Sequence, residues 1–387
     1  MDKVIMGIIG YGNMGSDHAA RIFRGDIPRM ELGAICDNDP EKLEDAKKAL
    51  GDKVAYFSDY KEMLNSGKIN AVLVAVPHYF HPQMVIDSFD AGLNVISEKP
   101  AGVYTKQVLE MNAAAEKSGK VFSMMYNERT IPTYAKAREL IKKGVLGDLQ
   151  RMVWIVTKWF RTQGYYDSGT WRSTWKGEGG GVLINQSPHQ LDLWQWICGM
   201  PSKIYSQCYY GKWHNIEVED DVTILAEYDN GMTATFITTT GEAPGSDRLE
   251  IAGTKGKIVI ENGTLKLYQN QTDSQEFIND ADRAFGAPEL WEIKVPVADR
   301  LPNEHNGILK NFTEAVLDGK ELIAPGIEGI NGLNISNAAH MSSWTGMPVA
   351  VPVDPDKYYE MLQEKIKNSK VVKKEAKKVK VDLSSSF

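Results

Sequence analysis

Cysteine is scarce in this chain: Cys36, Cys198 and Cys208 are all that 387 residues contain, and they stand in no metal-ligand spacing. That excludes a disulfide framework and a cysteine metal cluster. Long hydrophobic runs are missing as well. No apolar stretch is long enough to cross a bilayer, and the first residues pass straight into a strand pattern with no signal-peptide pattern. The expectation is a cytoplasmic chain with no membrane partner. A basic excess is also absent: Lys and Arg number 44 against 51 Asp and Glu, a formal −7, which argues against a nucleic-acid partner. The balance is uneven, because residues 365–387 hold eight lysines against Glu375 and Asp382, a local +6 that leaves −13 for the rest. Valine alternates with lysine there as in an edge strand, so the tail reads as a mobile or oligomer-contacting extension.

What remains is the composition of a globular protein, 42% hydrophobic and 25% charged, too long for one ordinary core. Its most informative feature is Gly10-Tyr11-Gly12-Asn13-Met14-Gly15, directly behind an apolar run at residues 4–9. Twenty-two residues after Gly15, Asp37 ends a second apolar run at residues 32–36. Strand, glycine turn, helix and a terminal acid form a dinucleotide-binding unit, with the pyrophosphate on the helix N-terminus. A carboxylate at Asp37 accepts hydrogen bonds from ribose hydroxyls and repels a 2′-phosphate. The cofactor expected is therefore NAD, with NADP the weaker expectation, since only Lys42 lies near enough in sequence to meet a phosphate.

Residues 1–124 alternate strand and helix. Strands are expected at 4–9, 30–36, 71–76, 94–97 and 121–124, with helices at 14–23, 41–50, 84–91 and 106–118. This is the pattern of an α/β Rossmann domain with a doubly wound parallel sheet. From 125 the pattern changes. A helix at 134–143 precedes a long strand at 149–160, and a second helix covers 188–198. Period-two segments follow at 202–213, 221–228, 232–240, 248–252, 256–261 and 265–268, with hairpin signals at 254–257 and 261–264. They read as an antiparallel meander, so residues 125–355 are expected to form an α+β domain with a large open, mainly antiparallel sheet. Residues 270–303 carry no clear period, helices are expected at 306–317 and 329–343, and 356–387 hold a C-terminal helix and the lysine-rich tail. One sheet face is expected to meet another copy of the chain.

Three further segments carry chemistry: Ala75-Val76-Pro77-His78 with His81 behind it, Glu98-Lys99-Pro100 at a strand end, and the run from Gly179 through Asn185 and His189 to Asp192 and Trp194. With the glycine turn, this ordered set resembles the glucose–fructose oxidoreductase/inositol dehydrogenase (Gfo/Idh/MocA) family over about 350 residues, from Lys3 to Pro352. The resemblance implies an NAD(P)-dependent oxidoreductase acting on CH–OH groups of a sugar, glycoside or polyol, working as a homodimer or homotetramer. It implies that Lys99 lies beside the nicotinamide and the reacting carbinol, where an ammonium steadies a developing alkoxide. It implies that Glu98 bonds the nicotinamide ribose, that Pro100 follows a cis bond, and that His189 takes the hydroxyl proton. The family usually has aspartate four residues before that histidine. Here Asn185 stands there, and an amide orients substrate but shuttles no proton.

The catalytic set expected is thus Lys99, His189 and Asn185. Gly10, Gly12, Asn13, Met14, Asp37, Pro77, His81, Glu98, Lys99 and Asn127 are expected at the cofactor. Tyr126, Tyr166, Trp171 and Arg172 are expected at substrate with Lys99, Asn185 and His189. Trp159, Phe160, Tyr165 and Trp175 crowd the same stretch together with Arg161. His78, His214, His305 and His340 have no constellation in the sequence, and no metal site is expected. The activity expected is hydride transfer between a ring carbinol of a sugar or glycoside, with C3 suggested on family grounds, and nicotinamide. A glycosidase or epimerase working by transient oxidation is the nearest alternative, and a catalytically idle NAD- or sugar-binding regulator is the third.

Overall fold

A computed structural model describes residues 2–298 and 304–369. The lysine-rich tail beyond Ser369 lies outside the described residues. Those described form two compact units, 2–130 with 304–333, and 131–298 with 334–369.

In the first unit β1 (Val4–Ile9), α1 (Asn13–Arg24), β2 (Met30–Cys36), α2 (Pro40–Leu50), β3 (Ala55–Phe57), α3 (Tyr60–Leu64), β4 (Ala71–Val74), α4 (His81–Asp90), β5 (Asn94–Ser97), α5 (Thr105–Ser118) and β6 (Phe122–Met124) alternate. The strands lie in the order β3-β2-β1-β4-β5-β6 and all pair in parallel. A parallel sheet is covered on both faces, and every residue of β4 is accordingly buried. Local chemistry sets the helix ends. Asp39 caps α2 by accepting from Glu41 N, Pro40 opens the helix, and Gly25 closes α1 in the left-handed conformation. The short β3 and α3 have no counterpart in the sequence expectation, since neither is long enough to show a period. Strand order reverses between β1 and β4, and the carboxyl ends of strands at such a switch form the usual ligand crevice.

The second unit holds α6 (Pro132–Lys142), β7 (Leu149–Val156), α7 (Gln163–Asp167), α8 (Pro188–Cys198), β8 (Lys203–Tyr210), β9 (Glu219–Glu227), β10 (Thr233–Thr239), β11 (Asp247–Gly253), β12 (Gly256–Glu261), β13 (Thr264–Asn270), α9 (Ser274–Asp280) and β14 (Leu290–Ile293). Further along the chain come α10 (Glu304–Asp318) of the first unit, α11 (Gly329–Thr345), of which residues 334–345 belong to the second, and β15 (Val349–Ala350) and α12 (Pro355–Lys367) of the second. The sheet runs β14-β13-β12-β11-β7-β10-β9-β8-β15. It is not a simple meander. β7 inserts between β10 and β11 and pairs with β10 in parallel, the one parallel ladder of this sheet among the described residues. Trp154 explains the insertion: buried on β7, it meets Phe236 of β10 at 6.1 Å and Tyr134 of α6 at 5.7 Å. Trp194 of α8 stacks on Phe236 at 5.8 Å, so this face of the sheet carries the core. The opposite face is open, with Tyr205 and Leu225 about half exposed.

Where the sequence places 304–318 with the second domain, α10 packs in the first unit. His305 meets His18 edge-on at 5.5 Å, and Arg29 pairs with Asp318. Past α10, Ala324 O accepts from Met124 N at the free edge of β6.

Candidate active site

In the first unit the glycine turn is built by close contact. Gly10 sits at φ +94, and a Cβ there would run into the Ala75 carbonyl. A Cβ on Gly15 would run into the Gly10 carbonyl, so helix and turn touch backbone to backbone. A Cβ on Gly12 would meet nothing within 4 Å. Gly12 is also the N-cap of α1, without a side-chain cap and with no acid in the first turn. Open space at a helix N-terminus suits a pyrophosphate. Asp37 is buried with its carboxylate fixed: one oxygen accepts from Tyr11 N at 2.7 Å, the other from Asp39 N at 2.9 Å. A carboxylate has about four lone-pair sites, so acceptor capacity for ribose hydroxyls remains. Lys42 Nζ lies 3.9 Å from the same carboxylate and answers its charge. The residues present fit NAD.

Beyond the turn, Pro77 precedes the 3-10 turn at His78–Phe80. His81, expected at the cofactor, is engaged elsewhere. It is buried, and its ring nitrogens lie 2.7 Å from the Val76 and Pro100 carbonyls, clamping the ends of two loops. Burial lowers its pKa, against the pull of those two carbonyls. Glu98 is buried as well. Burial alone would raise its pKa, but the His18 hydrogen bond at 2.7 Å and the His18 charge, helped by His305 and Lys99, bring it to about 2. Sequence reading missed His18 as the partner of Glu98; it lies on α1, three residues past Gly15. Lys99 is half-buried, and the Lys99-Pro100 peptide is cis, as expected. Asn127 is buried, and among the described residues its side-chain oxygen meets no hydrogen-bond donor. Tyr126, expected at substrate, is buried, with Arg129 over its ring at 5.6 Å.

In the second unit the glycine run lies against β9. A Cβ on Gly181 would run into the Glu219 carbonyl, and Val182 N donates to that carbonyl at 2.9 Å. The Glu219 carboxylate, wholly buried, accepts from Gly181 N at 2.8 Å and Leu183 N at 3.1 Å. His340 Nε2 lies 3.1 Å from its second oxygen. These bonds set the turn that presents Asn185, and α8 follows with His189 in its first turn. Asn185 is half-buried; its amide nitrogen donates to Glu178 Oε1, and Tyr165 donates to its amide oxygen at 3.4 Å. Arg172 donates to the Tyr165 hydroxyl at 2.8 Å and stacks over the rings of Tyr165 and Trp171, 4.7 and 4.5 Å from their centres. Gln186 donates to the same hydroxyl at 3.0 Å. Glu178 is buried, and burial raises its pKa against the opposing pull of Arg172, Ser173 N and Asn185.

Tyr166, expected at substrate, is a core residue. It is 1% exposed, bonds Thr240 at 2.8 Å and packs on His214 at 4.8 Å. Neighbours on one turn of α7 face different ways, and Tyr165 is the one that reaches Asn185. Trp175 is core too, against His340 and Trp344 at 5.5 Å each. Three histidines without a constellation in the sequence have one in space: His305 beside His18, His340 beside Glu219, and His214 with its Nδ1 3.0 Å from buried Asp220. Asp220 also accepts from the Lys212, Trp213 and His214 amides. Only the adjacency of Glu219 and Asp220 at a strand start hints at either role. Among the described residues no group of three or more His, Cys, Asp or Glu could hold a metal. Among them, too, no helix is long and apolar enough to cross a membrane.

Comparison with known proteins agrees with both halves. A profile described as an oxidoreductase family with an NAD-binding Rossmann fold matches residues 4–126, and one described as the GFO/IDH/MocA C-terminal domain matches 134–259. The chain is 27% identical to the scyllo-inositol 2-dehydrogenase (NAD(+)) of Bacillus subtilis over 364 residues, covering 91% of this chain and 97% of that protein. It is 30% identical to the D-glucoside 3-dehydrogenase of Escherichia coli over 245 residues, 58% of this chain and 66% of that one. The crystal structure of the WlbA dehydrogenase of Bordetella pertussis, in complex with NADH and UDP-GlcNAcA, matches with a TM-score of 0.75 at 26% identity. That match covers 91% of this chain and all 100% of the other.

Proposed function

Because the chain belongs to the Gfo/Idh/MocA family and is an NAD-binding oxidoreductase acting on CH–OH groups, we propose that it oxidises a ring carbinol of a sugar or glycoside. The observation that carries this reading is the second unit's polar cluster. Tyr165, Arg172, Asn185 and Gln186 are bonded to one another beside Trp171, which is half-buried. Donors and acceptors beside a flat apolar ring are the surface chemistry that recognises a sugar ring. Likeness to a glucoside 3-dehydrogenase supports C3 of a glycoside as the carbon oxidised.

Gly10, Gly12, Asn13, Met14, Asp37, Pro77, Glu98, Lys99 and Asn127 would hold NAD, with the Gly12 opening for the pyrophosphate and the Asp37 carboxylate for ribose hydroxyls. When bound, NAD supplies the acceptor for the carbinol hydride. The chain's own task is the hydroxyl proton. An imidazole at His189 accepts it, the Lys99 ammonium lowers the energy of the alkoxide oxygen, and Asn185 orients the hydroxyl. The open sheet face, where Tyr205 and Leu225 stand out, suits a second copy of the chain, giving a homodimer or homotetramer.

The test follows NADH absorbance with NAD against free sugars, alkyl and aryl glycosides and inositols. Turnover with glycosides, reduced about 10³-fold by Lys99→Ala, is the expected result. Silence across the panel, with NAD retained in the purified protein, would turn the reading to transient oxidation. Ligand binding untouched by Lys99→Ala, with no turnover, would leave a regulator.

A further inference from the structure

The hydrogen bonds around Asn185 form a chain whose direction is set at its ends. Arg172 only donates, and the Tyr165 oxygen accepts from it at 2.8 Å and from Gln186 at 3.0 Å. With both lone pairs engaged, the Tyr165 proton goes outward to the Asn185 amide oxygen, 3.4 Å away. At the other end Glu178 Oε1 accepts from the Asn185 amide nitrogen, so the nitrogen faces Glu178 and the oxygen faces Tyr165. Glu178 is 2% exposed and also accepts from Ser173 N, and Arg172 Nη1 lies 3.8 Å from it, closing the circuit.

We propose that Glu178 is the positioning residue of this site: its carboxylate holds Asn185 by the amide nitrogen and sets which end of the carboxamide meets the reacting hydroxyl. The proposal rests on the dehydrogenase reading and extends it. A bare asparagine amide can flip end for end with little change of shape. One fixed acceptor on one side and one fixed donor on the other remove that freedom before substrate arrives, which is preorganisation of a polar group. Asn185 is held from one hydrogen bond away, by a side chain that is itself fixed by Ser173 N.

Two measurements test this on the full chain. In side-chain amide NMR, with Asn185→Ala assigning the signal, the Asn185 NH2 pair should lie downfield and move on Glu178→Gln, because glutamine can offer either end to its neighbour. An unmoved pair overturns the proposal, whether or not the protein turns over glycosides. In kinetics, Glu178→Gln should lower kcat on the order of 10- to 100-fold and leave the KM for NAD unchanged. Adding Asn185→Ala to Glu178→Gln should then cost no more than about twofold, since the two act as one unit. Fully additive losses overturn the proposal. Should Glu178→Gln fail to fold, Tyr165→Phe removes the donor at the other end. Its Asn185 pair should stay downfield on Glu178 while kcat falls, and a pair returned to the free-amide position overturns the assignment. Absence of wild-type turnover counts against the dehydrogenase reading alone, because the amide signal judges Glu178 separately.

Discussion

Glu98 and Glu178 are both buried glutamates, one in each unit, and their acidities are displaced in opposite directions. Burial penalises the charged form of each. Glu98 has an imidazole 2.7 Å away and a second imidazole and an ammonium beyond it, so the charge is favoured and its pKa falls to about 2. Glu178 has an amide, a backbone N–H and a guanidinium at 3.8 Å, with Glu219 opposing, and its pKa rises. At similar depth, the side-chain hydrogen bond and charges around Glu98 outweigh its desolvation, and those around Glu178 do not. Glu98 keeps its charge down to about pH 2, whereas Glu178 is an acceptor whose charge is held less firmly.

The largest test of that contrast is His18→Leu. It leaves Glu98 buried without its imidazole, and we expect a loss of about 3–5 kcal/mol in urea unfolding. An unchanged midpoint would mean that something other than His18 carries the Glu98 charge. Next in size is the pH dependence of stability. Folded Glu98 holds fewer protons than unfolded Glu98 between pH 4.5 and 2, so its stabilisation is present above 4.5 and lost as pH falls toward about 2. Buried His305, lowered from 6.5 to about 4 by desolvation and the His18 charge, adds a loss as pH falls from 6.5 to 4. Folded Glu178 keeps a proton that the unfolded chain gives up. Its contribution therefore runs the other way and is lost as pH rises from 4.5 through its raised pKa. Urea midpoints across pH should fall less steeply between 4.5 and 2 in Glu98→Gln, where Glu139, Glu250 and Asp273 still contribute, and gain on the high-pH side in Glu178→Gln. Identical profiles in both variants would erase the contrast. The smallest effect is expected of Lys42→Ala. Its half-exposed ammonium lies 3.9 Å from Asp37, and its removal should cost no more than about 0.5 kcal/mol in the same unfolding assay.

The two glycine segments differ in the same way in how far the chain announces them. The first is legible because its determinants are local: Gly10, Gly12, Gly15 and Asp37 fall within 28 residues, each where a strand or turn must be. The second also shows in the sequence, but what holds it does not. Glu219 grips Gly181 from 38 residues away, and His340 reaches the same carboxylate from α11. Choosing Tyr165 over Tyr166 was equally out of reach, since two adjacent tyrosines on a five-residue helix carry no period.

Composition and spacing by themselves determined the parallel first sheet, the glycine turn, the Asp37 carboxylate and the order of Lys99, Asn185 and His189 along the chain. Those properties rest on backbone conformation and short-range periodicity. Only the tertiary structure decided that β7 lies between β10 and β11, that α10 belongs with the first sheet, that His81 is held by the Val76 and Pro100 carbonyls, and that Tyr166 bonds Thr240. It alone paired His18 with Glu98 and Glu178 with Asn185. A buried polar group must find its partner wherever folding brings one, and no spacing along the chain records where that will be.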